Sequence, residues 1–182
     1  MNLALSQRIL HFRKHAYDAL GQDWYDYLKS HTITVVPNRL DQDFADLAHN
    51  IDAFIITGGD DRPLRRATEL KLATELMKQG KPIIGVCHGA FLLTDILGGA
   101  IEVKDGHRDG VEHPVIYDGT EYQVNSFHGL YIRQPHGQAR ILATDPDGDC
   151  EAWIDGRVAG VVWHPERMNS PWLPPEISDL FS

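Results

Sequence analysis

The chain has 182 residues, of which 42% are hydrophobic and 24% are charged, as expected for a globular protein of one domain with a substantial core. The formal net charge of −9 argues against a nucleic-acid partner, because phosphate recognition requires a basic face. The sequence contains no apolar run of the roughly 20 residues that a membrane span needs, and its two cysteines do not make a disulfide framework, so we expect a cytoplasmic protein with free thiols.

The first half of the chain alternates short apolar strands with helices. A helix is predicted over residues 16–28 from the helical spacing of apolar positions, and a second is predicted from Pro63 to about Gln79, with Gly80 as its C-cap. The predicted strands lie at residues 3–5, 33–36, 53–56 and 82–86. Continuous apolar strands separated by helices indicate a parallel sheet that is covered on both faces.

The second half is richer in short β segments, which are separated by turn sequences that contain Asp-Gly, Pro-His-Gly and Pro-Asp-Gly. Such turns are typical of hairpins, so part of this half is predicted to be antiparallel. The segments lie near residues 111–117, 121–125, 139–143, 150–154 and 158–163. The fold class predicted is α/β: a flavodoxin-like three-layer sandwich with a mostly parallel central sheet and antiparallel additions, in one domain spanning residues 1–182.

Cys87 is the candidate nucleophile. It follows a buried strand directly, precedes an apolar helix, and has Gly85 and Gly89 two residues away on either side. This pattern is typical of a nucleophile elbow, in which small neighbours let the backbone close sharply around the reactive residue. The helix N-terminus favours a thiolate and supplies backbone N–H groups for an oxyanion. A buried structural cysteine is the alternative interpretation, and it is the one we adopt for Cys150.

His164 and Glu166 are the candidate base and its orienting carboxylate. His164 ends the last strand, and residues two apart in extended backbone face the same side. Pro165 is expected to keep this link extended, so that Glu166 can support the His164 imidazole while the ring faces Cys87. This arrangement would complete a nucleophile–base–carboxylate triad.

Three motifs carry a resemblance to a known family. Gly85-Val-Cys-His-Gly89 and Trp163-His-Pro-Glu166 resemble the two signatures of class I glutamine amidotransferases and the related γ-glutamyl hydrolases. Thr57-Gly-Gly-Asp60 is similar to the family's glycine-rich oxyanion loop. The resemblance implies that the backbone N–H groups of Gly59 and His88 form the oxyanion hole.

The resemblance also implies a cleft for a small γ-glutamyl substrate. Residues 122–129 are similar to the family segment that lines this cleft, and Phe91 stands where many members have a glutamine that helps hold the glutamyl group. Phe91 cannot make that polar contact, so the acyl donor is either glutamine held by other groups or a different γ-glutamyl compound. The implied substrate-binding residues are Gly58, Phe91, Asn125, Ser126, Phe127 and His128.

The chemistry implied by this resemblance requires neither a metal nor an organic cofactor, and we expect none. A polar cluster in the second half matches no strong zinc template and is interpreted as a solvated loop. That cluster consists of His107, Arg108, Glu112 and His113.

The resulting functional hypothesis is a cysteine amidohydrolase that cleaves a γ-glutamyl amide bond through a glutamyl thioester. If the amine released is ammonia, the protein is a glutaminase that serves a synthase partner; if it is a larger amine, the protein is a stand-alone γ-glutamyl hydrolase, which we favour. Two alternatives remain open. One is a hydrolase that resembles the DJ-1/PfpI family, with His88 as the catalytic histidine, and the other is a non-catalytic amidotransferase-like binding subunit.

Overall fold

The computed structural model describes residues 1–103 and 110–182. The helices in these ranges are α1 (Asp23–Tyr27), α2 (Phe44–Asn50), α3 (Pro63–Lys78), α4 (His88–Ile96) and α5 (Pro175–Ser178), with a 3₁₀ turn at Pro165–Arg167. The strands are β1 (Asn2–Ser6), β2 (Arg8–Phe12), β3 (His15–Ala19), β4 (Thr32–Val36), β5 (Ala53–Ile56), β6 (Ile83–Val86), β7 (Ala100–Val103), β8 (Val111–Tyr117), β9 (Thr120–Ser126), β10 (Leu130–Gln134), β11 (Arg140–Thr144), β12 (Cys150–Asp155) and β13 (Val158–Val161).

Five neighbouring strands form the parallel half of the main sheet, in the order β4-β1-β5-β6-β13. Numbered among themselves along the chain, these strands run 2-1-3-4-5, which is the doubly wound order of the flavodoxin-like fold. Every residue of β5 and of β6 is buried, as expected for central strands with both faces covered. The predicted α/β fold class is therefore confirmed.

An antiparallel half continues the sheet beyond β13. Strands β12, β11, β8 and β9 follow in that order, while β10 pairs with β12 and with β7. The turn between β8 and β9 has positive φ at Asp118 and Gly119, the geometry that a two-residue hairpin with the right-handed strand twist demands. The predicted antiparallel additions in the second half are thus confirmed.

The helix predicted over residues 16–28 is wrong for most of its length. Strand β3 occupies His15–Ala19 and pairs with β2 in a separate hairpin, and only the short helix α1 follows. The apolar residues at helical spacing belong to two different elements, and Gly21, a poor helix former, lies between them. The hairpin is largely exposed, so its strands form through backbone pairing rather than through a buried apolar face.

The hydrophobic core runs through both halves of the main sheet. Its largest buried side chains include Phe54 on β5, Trp153 on β12 and Trp163 just beyond β13. The core therefore anchors the strand ends from which the candidate site is built. Within the described ranges, no helix is both long enough and apolar enough to cross a membrane.

Candidate active site

Cys87 lies in a sharp turn between β6 and α4. Its backbone has φ 50° and ψ −104°, a conformation that a residue other than glycine rarely adopts. A Cβ on Gly85 would lie 2.4 Å from the carbonyl carbon of Gly89, and a Cβ on Gly89 would lie 2.2 Å from the carbonyl oxygen of Ile56. Only glycine fits at both positions, so the two glycines let the helix close onto the strands and hold Cys87 in this conformation.

His164 is brought towards Cys87 by the pairing of two parallel strands. Val161 of β13 is in register with Val86 of β6, and the Cys87 N–H donates to the Val161 carbonyl oxygen at 2.8 Å. The segments that follow β6 and β13 therefore leave the sheet side by side, and His164 lies three residues beyond the last residue of β13.

The His164 imidazole is buried between two catalytic candidates. Its Nδ1 lies 2.7 Å from Oε1 of Glu166. Burial alone would lower the pKa of His164, but hydrogen bonds with Cys87 and Glu166, together with the charges of both groups, raise this pKa to about 9. The three predicted triad residues are thus close together, and the imidazole is stabilised in its protonated form.

The link between His164 and Glu166 is not extended, contrary to the prediction. Pro165 begins a 3₁₀ turn over Pro165–Arg167, and the Arg167 N–H donates to the His164 carbonyl oxygen at 3.1 Å. Proline favours the first position of a helical turn because its fixed φ suits that turn and it has no N–H to satisfy. The carboxylate reaches the imidazole through this turn rather than along one face of a strand.

Asn125 and Gly58 hold His164 from two sides. The His164 N–H donates to Oδ1 of Asn125 at 2.8 Å, and Nδ2 of Asn125 donates to the His164 carbonyl oxygen at 2.9 Å. A Cβ on Gly58 would lie 2.3 Å from Cε1 of His164, so the imidazole packs directly on this glycine. The Phe127 ring meets the imidazole edge-on, with 5.3 Å between the ring centroids.

A cleft of about 370 Å³ opens beside Cys87. Of the substrate-binding residues predicted from the resemblance, Phe91, Phe127 and His128 line this cleft, whereas Gly58, Asn125 and Ser126 do not. Both predicted oxyanion residues also border it. The full lining comprises Gly59, Asp60, Asp61, Arg66, Cys87, His88, Phe91, Leu92, Asp95, Ile101, Phe127, His128, Gly129 and Leu130.

The strand-to-helix elbow and the His-Pro-Glu turn come together where Cys87 and His164 share a hydrogen bond, and the family comparison agrees with this arrangement. The profile of the family described as "Glutamine amidotransferase class-I" matches residues 15–180. This chain belongs to the class-I glutamine amidotransferase family.

Individual relatives within this family differ in how much of the chain they match. A γ-glutamyl-CDP-amidate hydrolase of Campylobacter jejuni is 25% identical over 168 residues, which cover 84% of this chain and 82% of that protein. A glutamine-hydrolysing GMP synthase of Aeropyrum pernix is 31% identical over 109 residues, which cover 55% of this chain but only 21% of the synthase. The chain therefore spans about a fifth of the synthase and most of the hydrolase.

Solved structures support the amidotransferase fold. A putative GMP synthase component of Thermoplasma acidophilum superposes on all of this chain and 90% of its own with a TM-score of 0.73, at 14% identity. A glutamine amidotransferase of Thermotoga maritima covers 90% of this chain and 76% of its own with a TM-score of 0.69, at 17% identity.

The mouth of the amidotransferase cleft carries charges that the sequence analysis did not single out. Arg66, on α3, donates to Asp61 at 3.2 Å and also to Asp95, which lies on α4. This pairing ties the two helices together across the cleft mouth. Arg66 and Asp95 are 29 residues apart in sequence, so no local pattern indicated that they would pair beside the cleft.

A buried carboxylate beneath the elbow was also missed. Oε2 of Glu69, on α3, lies 2.9 Å from Nε2 of His88, and Oε1 accepts from Nε of Arg65 at 2.7 Å. Burial would raise the pKa of Glu69, but hydrogen bonds and charge from His88 and Arg65 outweigh it and hold this pKa below its usual value. The spacing of Arg65 and Glu69, four residues apart on a predicted helix, was the available signal.

One group of potential metal ligands occurs among the described residues. The ligand atoms of His113, His128 and Glu151 all lie within 4.8 Å of one another, and all three side chains are buried. Each of these residues already makes an interaction within the protein, so the geometry does not by itself define a metal centre. The interpretation of a solvated loop is wrong for its second half, because Glu112 and His113 lie on β8 and His113 is buried there. His107 and Arg108 lie outside the described residues. The expectation of no metal stays a prediction.

Proposed function

We propose that this protein is a cysteine amidohydrolase that cleaves a γ-glutamyl amide bond, with Cys87 as nucleophile, His164 as acid and base, and Glu166 as the carboxylate that orients His164. The observation that carries this proposal is the buried Cys87–His164–Glu166 arrangement, in which both neighbours raise the pKa of the imidazole to about 9. A protonated imidazole beside a cysteine favours the thiolate, which is the reactive form of the nucleophile.

The reaction would proceed through a glutamyl thioester. Sγ of Cys87 attacks the γ-carbonyl carbon, and His164 protonates the departing nitrogen as the C–N bond breaks. The neutral imidazole then takes a proton from water, whose oxygen attacks the thioester carbon. Glutamate leaves, and the Cys87 thiolate and the protonated His164 are restored.

Two backbone N–H groups support the assignment of Gly59 and His88 to the oxyanion hole. His88 is the first residue of α4, so its N–H has no acceptor within the helix. Gly59 borders the same cleft as Cys87 and has φ 129°, a conformation that suits glycine. Donors fixed in advance around a developing oxyanion are commonly the largest electrostatic contribution to acyl transfer.

The contacts of His88 favour His164 over His88 as the base. Nε2 of His88 lies 2.9 Å from the carboxylate of Glu69, whereas His164 shares a hydrogen bond with Cys87 itself, and Cys87 together with Glu166 raises the pKa of His164. The alternative that resembles the DJ-1/PfpI family predicts that substituting His88 removes more activity than substituting His164. Our proposal predicts the reverse order.

The cleft supports a donor with an amine larger than ammonia. Phe91 replaces the polar residue that many family members use to hold glutamine, and it continues into an apolar wall formed with Leu92, Ile101 and Leu130. The relative named a γ-glutamyl-CDP-amidate hydrolase covers most of this chain, which supports a stand-alone hydrolase. Synthase relatives support the other alternative, a glutaminase that serves a synthase partner.

Intact-protein mass spectrometry after treatment with a glutamine-mimicking diazoketone tests the triad. We expect one glutamyl-sized adduct on the wild type, none on Cys87→Ala, and slower labelling of His164→Ala. Cys150→Ala is the matched control, because the Cys150 thiol is buried away from the cleft lining and should not affect labelling. Adduct formation on Cys87→Ala would refute the proposed nucleophile. No adduct on any variant would argue against a glutamyl donor, and it would argue for the non-catalytic interpretation only if an activated ester also failed to acylate Cys87.

Donor choice is tested by comparing ammonia release from glutamine with amine release from γ-glutamyl-p-nitroanilide. We expect the wild type to prefer the anilide, and Phe91→Gln to shift the ratio of kcat/KM towards glutamine by restoring a polar group at that wall. A wild type that hydrolyses glutamine faster would favour the glutaminase alternative and direct the search to a synthase partner.

A further inference from the structure

Arg65, Glu69 and His88 form a continuous buried hydrogen-bond network beneath the elbow. Arg65 and Glu69 are both 0% exposed and His88 is 6% exposed. Each carboxylate oxygen of Glu69 has its own partner, Arg65 on one side and His88 on the other. An ionised carboxylate only accepts hydrogen bonds, so Nε2 of His88 carries the hydrogen that it donates to Glu69.

This buried network is not an obvious source of folding stability. Desolvating a carboxylate and a guanidinium is costly, and apolar residues of similar volume often replace a buried ion pair without loss. The position of the network suggests a different role, because Arg65 at one end and His88 at the other each reach a segment that borders the cleft.

At one end, Arg65 holds the loop that contains Gly59. Its Nη1 donates to the Gly58 carbonyl oxygen at 3.3 Å and to the Asp60 carbonyl oxygen at 3.4 Å, and Nη2 donates to the Thr57 carbonyl oxygen. A Cβ on Gly59 would lie 2.7 Å from Nη1, so the loop backbone lies directly against the guanidinium.

This contact determines where the Gly59 N–H points. The carbonyl group of Gly58 and the N–H group of Gly59 belong to one planar trans peptide unit, in which they point in opposite directions. Because Arg65 holds the Gly58 oxygen on its own side, the Gly59 N–H is directed away from the guanidinium. Gly59 itself borders the cleft next to Cys87.

At the other end, Glu69 holds His88, whose N–H is the second proposed oxyanion donor. His88 directly follows the strained Cys87 and begins α4. A hydrogen bond from its ring to α3 limits rotation of the turn that carries this N–H. A single carboxylate therefore connects the two segments that carry the two N–H groups.

We propose that Glu69 is a positioning residue that aligns both halves of the oxyanion hole, acting through Arg65 on Gly59 and directly through the His88 ring. The inference rests on the proposed acyl transfer at Cys87, but it does not require the donor to be a γ-glutamyl compound. Glu69 does not border the cleft and is not expected to touch substrate.

The test compares two reactions of the same thiol. Acylation by p-nitrophenyl acetate passes through an oxyanion as the Cys87 sulfur bonds to the carbonyl carbon and p-nitrophenolate leaves. Alkylation by iodoacetamide displaces iodide at a saturated carbon and forms no oxyanion. We expect Glu69→Gln to slow acylation about 10- to 100-fold, since small misplacements of catalytic groups cost that much, and to change alkylation by less than about two-fold.

Glu75→Gln is the matched control, because Glu75 lies on the same helix and pairs with Lys78 on the surface. It should leave both rates unchanged. If Glu69→Gln does not fold, His88→Ala and His88→Arg decide the question. His88→Ala should slow acylation selectively, whereas His88→Arg keeps a donor for Glu69 and should recover most of the acylation rate, which a catalytic base at this position would not allow.

Equal slowing of acylation and alkylation, or no change in either, would overturn the inference, as would failure of His88→Arg to exceed His88→Ala. The labelling of the wild-type protein separates failure of this inference from failure of the proposed function. Acetylation of Cys87 without labelling by the glutamine mimic would reject the glutamyl donor and still allow the role of Glu69 to be measured.

Discussion

Around Cys87 the chain is held by close backbone packing, whereas around His164 it is held mainly by hydrogen bonds. Gly85 and Gly89 allow contacts that no side chain would permit, and Cys87 between them has a positive φ. His164, in contrast, is fixed by Asn125 through its backbone and by Glu166 through its ring.

The difference shows that one site can combine two kinds of restraint with different sensitivities. Steric restraint at the elbow leaves no room for even one methyl group, so its loss should appear first in stability. Polar restraint at His164 controls the orientation and charge of the imidazole, so its loss should appear first in catalysis.

The largest effect is expected from Gly89→Ala. The new Cβ would lie 2.2 Å from the Ile56 carbonyl oxygen, in rigid backbone that cannot move aside. We expect the free energy of unfolding to fall by about 3 kcal/mol or more, measured by urea denaturation. Gly137→Ala is the control, because Gly137 has no atom within 4 Å of its Cβ position, and it should stay within about 0.5 kcal/mol of wild type. A stable, fully active Gly89→Ala would contradict the steric account of the elbow.

Gly58→Ala tests a close steric contact of His164, whose other restraints are mainly hydrogen bonds. Its Cβ would lie 2.3 Å from Cε1 of His164, a side chain that can shift, so the imidazole should be displaced while the fold survives. We expect kcat to fall about 100-fold with a loss of stability of roughly 1–3 kcal/mol. Steady-state kinetics beside a urea titration checks both. Loss of stability without loss of kcat would show that the ring of His164 is not held by this contact.

Asn125→Ala removes both hydrogen bonds to the His164 backbone. We expect kcat to fall about 10-fold with KM little changed, because the cleft lining stays intact while the imidazole loses its alignment. Gln123→Ala is the control, since Gln123 is exposed on the same strand. A change in KM alone would instead favour the substrate-binding role predicted for Asn125 from the sequence.

The smallest change is expected in the titration of His164. Cys87→Ala removes one of the groups that raise its pKa, so this pKa should fall from about 9 towards 6.5, followed by NMR of the imidazole. Cys150→Ala should leave it unchanged. Because the folded pKa lies above the unfolded value, His164 stabilises the wild-type fold below about pH 6.5, and this contribution is lost as the pH rises through about 9. An unchanged pKa in Cys87→Ala would show that the thiol and the imidazole are not coupled.

The sequence predicted the elements that end at the candidate site residues better than it predicted the contacts around those residues. The strand before Cys87 and the helix from Pro63 have strong local signals, namely a continuous apolar run and a proline at the first helical turn. The helix predicted over residues 16–28 failed because pairing between β2 and β3 is a non-local interaction that apolar spacing does not report. Likewise, the pairing of Glu69 with His88 joins α3 to the elbow, and no pattern within either segment indicates it.

The register between β6 and β13 limits where residues can be inserted into this fold without disturbing the candidate site. Val86 and Val161 are fixed as neighbours, so inserting one residue into β13 would shift the register that brings the segment with His164 beside Cys87. Residues 127–129, between β9 and β10, lie outside that ladder and yet border the cleft. Insertions in this connection would change the lining of the cleft without shifting the β6–β13 register, so the length of this connection is the part of the fold in which the cleft can vary most freely.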